Sequence, residues 1–467
     1  MAMTKGNGAN VIDARWIDTS NGMFIDITGL RERDIERSPG VWSCKNNHRY
    51  RTDELWPLRR TEFEGAEAWI PYAFDKVLAD EYGPKSLVTE EWHGPKMSPT
   101  EQTVFRLTAF DGFENLQSFR EPIPKPSVGE VLVRVRSVSL NYRDIATARG
   151  TYPLRVKDNV IPCCDMAGEV VSIGPTTELS KAPDLVVGDA VLSPVCPSWL
   201  YGEDKRLDGL DFTLAAGKQD GVLREYIAMP VHSLIKLPPC KAPRDFVQWA
   251  ATPCTVSTVW NAFYGNTPLK PGDTVLVLGT GGVSVTALVL AKAAGATTIV
   301  TSSSDKKLDF AQSQLGADYR INYKNTPDWA AEVQRITDGK GVDHVIEVGG
   351  VGTMHQSLAA AGRGGVITVI GFLTESQGNL PDVTMTALVK SLIVRGVAGG
   401  SKQQLEEAVK FMGARKLELP VDKVFAFKRE DIIAALNYVE SGSHIGKTAP
   451  NIVVNLEDMN TSKYTTP

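Results

Sequence analysis

Apolar and polar residues alternate along the middle of the chain in a pattern typical of β-strands. Residues 130–140, EVLVRVRSVSL, alternate in the way expected of a strand with one buried face. The segments AGEVVSIG (167–174) and GDAVLSPV (188–195) follow, with turn residues between them. The stretch from about residue 103 to 240 is therefore predicted to be rich in short strands.

From about residue 245 the pattern changes to apolar strands that alternate with helical segments. The predicted strands are TVLVLG (274–279), TIVTSS (298–303), DHVIEVGG (343–350) and VITVIGF (366–372). Alternating βα units of this kind indicate a parallel sheet with helices on both faces. Further on, helices are predicted at residues 402–413 and about 429–441, before the strand-like PNIVVN.

A glycine-rich turn lies between the first of these strands and its helix. The sequence VLVLGTGGVSV places glycine at 279, 281 and 282, with Ser284 where a third glycine is often found. Glycines at such a turn let the backbone approach a pyrophosphate, and the helix N-terminus then faces the phosphates. We therefore predict a dinucleotide site, with the following residues contacting the cofactor: Gly279, Thr280, Gly281, Gly282 and Val283.

The end of the second strand bears on the choice of dinucleotide. An NAD-preferring site commonly has Asp or Glu there, whereas this chain has Ser303, followed by Lys306 and Lys307. Hydroxyl and ammonium groups suit a 2′-phosphate, so we expect NADP(H) to be favoured over NAD(H), with Ser303 and Lys307 as contacts. The alternative is that the lysines only solvate the first turns of a surface helix.

Composition narrows the class of protein further. The 467 residues carry a net charge of −5 and give a pI of about 5.8, which argues against a nucleic-acid-binding protein. No apolar segment is long enough to span a bilayer, the N-terminus lacks a signal-peptide core, and six cysteines do not form a disulfide framework. We expect a soluble cytoplasmic protein with a small-molecule substrate and no membrane or nucleic-acid partner.

The chain from about residue 103 to 455 resembles the medium-chain dehydrogenase/reductase superfamily. The matching segments include SVGEVLVRVRSVSLNYRD, IPCCDMAGEVVSIG, AATPCTVSTVWNAF, LKPGDTVLVLGTGGVSV and GVDHVIEVGG, and they are most similar to the zinc-independent branch of quinone-oxidoreductase-like and NADP-dependent alcohol-dehydrogenase-like proteins. The resemblance implies an α/β fold with a GroES-like β-barrel domain and a Rossmann doubly wound parallel sheet.

The same resemblance implies a division of the chain and a larger cofactor site. The barrel domain would span residues 100–240, with 396–455 returning to it, the Rossmann domain 241–395, and a tail 456–467. Further cofactor contacts would be Tyr323, Gly349, Gly371 and Phe372. A homodimer would form through the sheet edge near residues 391–400.

Zinc-dependent members of the superfamily use Cys, His and Cys as catalytic ligands. At the matching positions this chain has Asn141, Cys164 and Cys254, with Asp165 where those enzymes have Glu. Two thiolates and a neutral amide form a poor zinc set, and the cysteines of the family's structural zinc lobe are missing. We therefore expect no zinc, and we expect Cys163, Cys164 and Cys254 to be buried, softly apolar residues.

Without a metal, hydrogen-bond donors must stabilise the charge that develops on the substrate. Tyr142 and Asn141 are the catalytic candidates, although Tyr142 could equally be an aromatic of the cleft wall and Asn141 could position the turn. Trp199 and Tyr201 could line the substrate pocket or pack within their loop. The predicted reaction is hydride transfer to or from a carbonyl or alcohol; reduction of the activated C=C bond of a quinone or enone is the alternative.

Residues 1–99 do not fit the dehydrogenase pattern. The aromatic-rich part from 11 to 93 resembles the C-terminal portion of LicD-type phosphotransferases, but the acidic metal-binding motif of that family is not in this chain. Asp18 and Asp26 remain as acidic residues. We interpret the segment as a remnant or appendage; a transferase-like module for a phosphosugar or phosphocholine group is the alternative from a different functional class.

Overall fold

The computed structural model describes residues 100–175, 185–204, 213–240, 242–373, 381–442 and 453–455, together with short segments between 14 and 76. The chain divides into two compact units, Met1–Ser98 and Pro99–Pro467. The described elements of the first unit are one short helix, Thr52–Leu55, and antiparallel strands at Ala14–Ile17, Phe24–Ile27, Arg31–Glu32, Val41–Ser43, Arg49–Arg51, Arg59–Phe63 and Ala66–Ile70. Asp18 and the side chain of Asp26 lie outside the described residues, so the resemblance to phosphotransferases stays a prediction.

A parallel sheet of six strands forms the centre of the half of the second unit that carries the glycine-rich turn. Its spatial order is Tyr319–Asn322, Thr297–Ser302, Thr274–Val277, Val342–Glu347, Ala361–Val369 and Ile393–Gly396. Every neighbouring pair is parallel, and the chain starts in the third position and reverses direction across the sheet. A ligand site is expected at this point of reversal, outside the carboxyl ends of the strands.

The other half of this unit is a curved, mostly antiparallel sheet. The spatial order of its strands is Ile235–Lys236, Ala190–Leu192, Asp165–Ile173, Glu130–Ser139, Val453–Asn455 and Val424–Ala426. A seventh strand, Tyr226–Pro230, also pairs with Glu130–Ser139. A hairpin of Glu101–Leu107 and Leu116–Pro122 lies beside it. The predicted combination of a barrel-like sheet with a doubly wound parallel sheet is confirmed.

The helices of the second unit are Tyr142–Ala148, Pro243–Ala250, Pro253–Tyr264, Gly282–Ala293, Asp305–Leu315, Trp329–Ile336, Met354–Ala360, Val383–Lys390, Lys402–Arg415 and Arg429–Glu440, with short 3₁₀ turns at Phe113–Asn115 and Val231–Ser233. Among the residues that the structure describes, none of the helices is both long and apolar enough to cross a membrane.

Buried apolar residues explain why the C-terminal helix belongs beside the antiparallel sheet. Ile432 and Leu436 of the helix Arg429–Glu440 join the same core cluster as Val104 and Val131. Strand Val453–Asn455 also pairs with Ser137–Ser139 of that sheet. These contacts place the helix Arg429–Glu440 and the strand Val453–Asn455 beside that sheet, whereas Leu405 and Met412 of the helix Lys402–Arg415 join a second core cluster with Val275. The predicted domain boundaries, including the return of residues 396–455 to the barrel, stay predictions.

Candidate active site

The glycine-rich turn adopts the backbone geometry that its sequence predicts. Gly279 has a φ of +75°, a left-handed conformation that favours glycine, and its N–H donates to Thr301 Oγ1 at 3.1 Å. Gly281 is the N-cap of the helix Gly282–Ala293. A methyl group built on Gly279 or Gly281 would meet no heavy atom within 4 Å, so both face open space at the helix N-terminus, as a pyrophosphate cradle requires.

Ser284 replaces the third glycine without loss of packing. Its side chain is buried, and its hydroxyl donates to the carbonyl of Leu278 at 2.6 Å. The hydroxyl therefore ties the helix to the end of the first strand at the place where close helix–strand approach is needed.

A cleft of about 1430 Å³ extends from this turn to the start of the helix Tyr142–Ala148 and the loop residue Trp199. Ten of the eleven predicted cofactor residues line it: Gly279, Thr280, Gly281, Gly282, Val283, Ser303, Lys307, Tyr323, Gly371 and Phe372. Gly349 is not among the lining residues; its N–H donates to Glu347 Oε1 at 2.8 Å in the loop beside the cleft. The cofactor roles of all eleven residues stay predictions.

The two lysines of the second βα turn occupy different environments. Lys307 lines the cleft, donates to the Gly442 carbonyl at 3.2 Å, and has its pKa lowered by burial. Lys306 is exposed and is not part of the cleft wall. Of the two lysines, Lys307 is therefore the one that lines the cleft together with Ser303. Their role as contacts of a 2′-phosphate stays a prediction.

Tyr142 and Asn141, the predicted catalytic residues, face different neighbours at the start of the helix Tyr142–Ala148. Tyr142 is 48% exposed in the cleft, with its ring centroid 6.1 Å from that of Phe372 in an edge-to-face arrangement. Asn141 is buried, and its Nδ2 donates to Asp165 Oδ2 at 2.9 Å and to Cys164 Sγ at 3.8 Å. This geometry favours a positioning role for Asn141 over direct contact with substrate.

Three potential metal ligands converge beside Asn141. The Sγ atoms of Cys164 and Cys254 and a carboxylate oxygen of Asp165 all lie within 4.8 Å of one another. Cys164 and Asp165 are buried, whereas Cys254 is partly exposed and lines the cleft. We call these three residues the Cys–Asp–Cys cluster.

The surroundings of Asp165 and Cys164 raise the pKa of both groups. Burial raises the pKa of Asp165 to about 7, although the hydrogen bond from Asn141 favours the carboxylate. A hydrogen bond with Cys254, together with burial, raises the pKa of Cys164 well above its usual range. Near neutral pH the Cys164 thiol therefore holds its proton and the Asp165 carboxyl is partly protonated, and a bound divalent cation would displace these protons.

The neighbouring Cys163 belongs to the backbone turn rather than to the cluster. It has a φ of +69°, and its N–H donates to Asp144 Oδ1 at 3.2 Å. A methyl group on Gly221 would lie 2.1 Å from the Cys163 carbonyl, so the turn is closely packed. Cys163 therefore lies outside the cluster, and of the cluster's two thiols it is Cys254 that lines the cleft.

Trp199 and Tyr201, the two residues predicted to line the substrate pocket, also differ in their position. Trp199 is buried, lines the cleft, and donates from Nε1 to the Gly202 carbonyl at 3.1 Å. Tyr201 is 73% exposed and is not among the lining residues. Trp199 is thus the one of the two that can contact a ligand in the cleft.

Comparisons with known proteins agree with this architecture. A family profile described as an alcohol dehydrogenase GroES-like domain matches residues 127–239, and one described as a zinc-binding dehydrogenase matches residues 282–414. A zinc-type alcohol dehydrogenase-like protein of Schizosaccharomyces pombe is 39% identical over 73% of this chain and 96% of its own length. Another from Leptosphaeria maculans is 28% identical over 71% of this chain and 92% of its own.

A solved structure has the same arrangement of the two sheets. The crystal structure of a putative alcohol dehydrogenase from Sinorhizobium meliloti is 30% identical, covers 77% of this chain and all of its own, and superposes with a TM-score of 0.66. The chain therefore shares both sequence and fold with alcohol dehydrogenases across most of the second unit.

The expectation of a zinc-free protein is wrong on two counts. The similar proteins are of the zinc type, and the chain itself carries the Cys–Asp–Cys cluster. The sequence places Asn141 at the third ligand position, but the structure turns its amide toward Asp165 and brings the Asp165 carboxylate to the thiols. Two thiolates and one carboxylate are a chemically suitable zinc set, and the partly exposed Cys254 side leaves a position open to the cleft.

Proposed function

Because the chain belongs to the zinc-type alcohol dehydrogenase-like family of the medium-chain dehydrogenase/reductase superfamily, we propose that it transfers a hydride between a nicotinamide dinucleotide and an alcohol or carbonyl substrate at a zinc site. Its relatives and structural neighbours are alcohol dehydrogenases and related oxidoreductases, and the chain is an oxidoreductase. The single observation that carries the proposed chemistry is that Cys254 of the Cys–Asp–Cys cluster and the glycine turn line the same cleft.

The metal would be held by Cys164, Asp165 and Cys254. When bound, zinc supplies a Lewis acid that polarises an alcohol or carbonyl oxygen. Asn141 orients the Asp165 carboxylate through its amide, as outer hydrogen bonds commonly do at zinc sites. The burial of Cys164 and Asp165 excludes water from the protein side of the cluster.

The dinucleotide supplies the hydride carrier, and the chain's own residues would bind and orient it. The backbone N–H groups at the start of the helix Gly282–Ala293 would bind the pyrophosphate. Tyr142 and Phe372, which contact each other across the cleft, would border the nicotinamide. Ser303 and Lys307 support a preference for NADP(H), which is the finer part of this proposal.

Turnover by the zinc-loaded protein tests the proposal. Primary and secondary alcohols with NADP⁺ or NAD⁺, and the matching aldehydes and ketones with the reduced cofactors, should react reversibly. Simple enones and quinones serve as the comparison. Enone or quinone reduction without any alcohol or carbonyl turnover would contradict the proposal and favour reduction of activated C=C bonds.

A homodimer is the proposed assembly. Strand Ile393–Gly396 is an edge of the parallel sheet, with backbone groups available for pairing. Helix Val383–Lys390 beside it exposes Met385, Leu388 and Val389 at 55%, 74% and 59%. An open strand edge next to exposed apolar side chains fits a second copy of the same surface.

A further inference from the structure

Arg143 is a cation in the wall of the cleft, held in a defined position. Its guanidinium carbon lies 5.4 Å from the Tyr152 ring centroid, and Nη2 donates to the carbonyl of Leu214 at 3.1 Å and more weakly to that of Ala215 at 3.4 Å. Arg143 and Tyr152 both line the cleft. These contacts hold the guanidinium in place before any ligand arrives.

The charge of Arg143 is permanent and lies close to the Cys–Asp–Cys cluster. Burial opposes the charge, but the neighbouring groups of Cys164, Tyr152, Asp144 and Cys254 raise the pKa of Arg143 above its usual range. A zinc centre formed by two thiolates and one carboxylate would carry a single net negative charge. The positive charge of Arg143 offsets this negative charge. Such an offset is needed if a second anion is to bind near the zinc centre.

The guanidinium also has bonding capacity that the protein leaves unused. Its Nε is shielded from solvent and has no hydrogen-bond partner. Among the described residues, no carboxylate oxygen lies within the 4.0 Å of an ion pair with Arg143, because Asp144 instead accepts from the backbone N–H groups of Asn141 and Cys163.

A second unused polar atom lies in the same wall. Thr213 immediately precedes Leu214, whose carbonyl Arg143 binds; its side chain is buried and lines the cleft, and its Oγ1 has no partner. Buried polar groups without partners are uncommon in folded proteins, and they are expected where a ligand completes them. The exposed carboxylates of Glu203 and Asp204 lie at the mouth of the cleft, where solvent screens them.

We propose that Arg143, assisted by Thr213, binds a carboxylate of the substrate, so that the substrate class is short hydroxy acids and the corresponding oxo acids. This inference rests on the proposed function, since the hydroxyl or carbonyl of the same molecule would lie at the Cys–Asp–Cys cluster. One guanidinium N–H and one hydroxyl match the two oxygens of a carboxylate. The cofactor pyrophosphate is assigned to the helix N-terminus at Gly282, so Arg143 remains available to the substrate.

Matched substrate pairs test the inference. Lactate is compared with 1,2-propanediol, and 3-hydroxybutanoate with 1,3-butanediol, using zinc-loaded protein and either oxidised cofactor. The kcat/KM of each acid should exceed that of its diol by about 10-fold or more, and Arg143→Gln should lower this ratio by about 100-fold. Arg143→Lys keeps the positive charge but not the forked guanidinium geometry. Its acid-to-diol ratio of kcat/KM should lie between those of the native protein and Arg143→Gln. Arg335→Gln, at an exposed arginine paired with Glu332, is the matched control and should leave the ratio unchanged.

Binding provides a readout that does not depend on turnover. Oxamate, a small carboxylate, should bind the native protein in calorimetry and bind Arg143→Gln about 100-fold more weakly. Turnover of neutral alcohols with no preference for the acids would overturn the inference and leave the proposed function intact. No turnover of any alcohol or acid would overturn the proposed function, while oxamate binding that depends on Arg143 would still support the anion pocket.

Discussion

The side-chain amide of Asn141 donates a 2.9 Å hydrogen bond to the carboxylate of Asp165 and thereby fixes that carboxylate beside two thiols. Asn141 stands at the position where zinc-dependent members of the superfamily have a ligand cysteine. Its contribution is instead to orient a ligand supplied by the next element. Asn141 replaces one ligand but positions another, Asp165, so the site still has three protein ligands.

Removal of this amide should weaken zinc binding without removing a ligand. For Asn141→Ala we expect a loss of zinc affinity of about 10–100-fold, because Asp165 would no longer be oriented. Competition with a chromophoric chelator measures the affinity. Asn437→Ala removes an amide that bonds only to the Ile433 carbonyl on a surface helix, and it serves as the control. Equal affinities for Asn141→Ala and the native protein would contradict the positioning role.

The ligand assignment itself predicts a difference between two adjacent cysteines. Protein purified in the presence of zinc should hold about one zinc ion per chain at the catalytic site. Cys164→Ser, Asp165→Asn and Cys254→Ser should each hold far less after dialysis, because each loses one of three ligands. Cys163→Ser changes the neighbouring thiol outside the cluster and should retain the metal. Elemental analysis decides, and loss of zinc from Cys163→Ser alone would refute the assignment.

The sequence was a good guide where local pattern determines structure. The glycine turn and the strand before it follow from period and residue type, and ten of the eleven residues predicted to bind the dinucleotide line one cleft, Gly349 being the exception. Their cofactor roles stay predictions. The Cys–Asp–Cys cluster was not predictable in the same way. Cys254 comes from a helix 89 positions after Asp165, and which oxygen or nitrogen faces the thiols depends on tertiary contacts that no local pattern records.

The partners of the charged Arg143 side chain likewise could not be predicted from the local sequence. An arginine at the start of a helix usually points to solvent or pairs with a carboxylate. Here the nearest acid in sequence, Asp144, is used by two backbone N–H groups, and the guanidinium is held by carbonyls from the loop at Leu214. Only the folded loop shows that no carboxylate of the described residues forms an ion pair with this cation.

The environments of Lys307 and Lys306 predict a selective effect on cofactor binding. Lys307→Ala should weaken NADPH by about 10-fold or more and NADH much less, because only NADPH offers a 2′-phosphate to the ammonium group. Lys306→Ala removes an exposed neighbour and is the matched control. Thermal stabilisation by each cofactor measures the affinities. Equal stabilisation of the native protein by NADH and NADPH would refute the predicted preference.

The proposed dimer surface predicts which edge of the parallel sheet tolerates charge. Leu388→Asp introduces a carboxylate beside the edge strand Ile393–Gly396 and should shift the protein toward monomer. Tyr319→Asp makes the same change at the opposite edge, where Tyr319 is 45% exposed, and should leave the assembly unchanged. Sedimentation equilibrium measures the mass. A native protein that sediments as a monomer would contradict the proposal.

His344 predicts how stability depends on pH. It is buried in the central strand Val342–Glu347, with its ring 6.0 Å from that of Phe263. Burial lowers its pKa from 6.5, although Asp273 at 3.8 Å favours the charged form. Between the folded and unfolded pKa values the unfolded chain binds more protons. The contribution of neutral His344 to stability is therefore full above pH 6.5 and is lost as the pH falls below it.

His344→Gln removes the titrating group from this position, so the variant should lose less unfolding free energy than the native protein between pH 7 and 5. The difference approaches at most about 1.4 kcal/mol for each unit by which the pKa is lowered. Denaturant unfolding at several pH values measures it. His232→Gln changes an exposed histidine and should follow the native curve. Parallel curves for His344→Gln and the native protein would show that His344 is protonated equally in both states, against the effect of its burial.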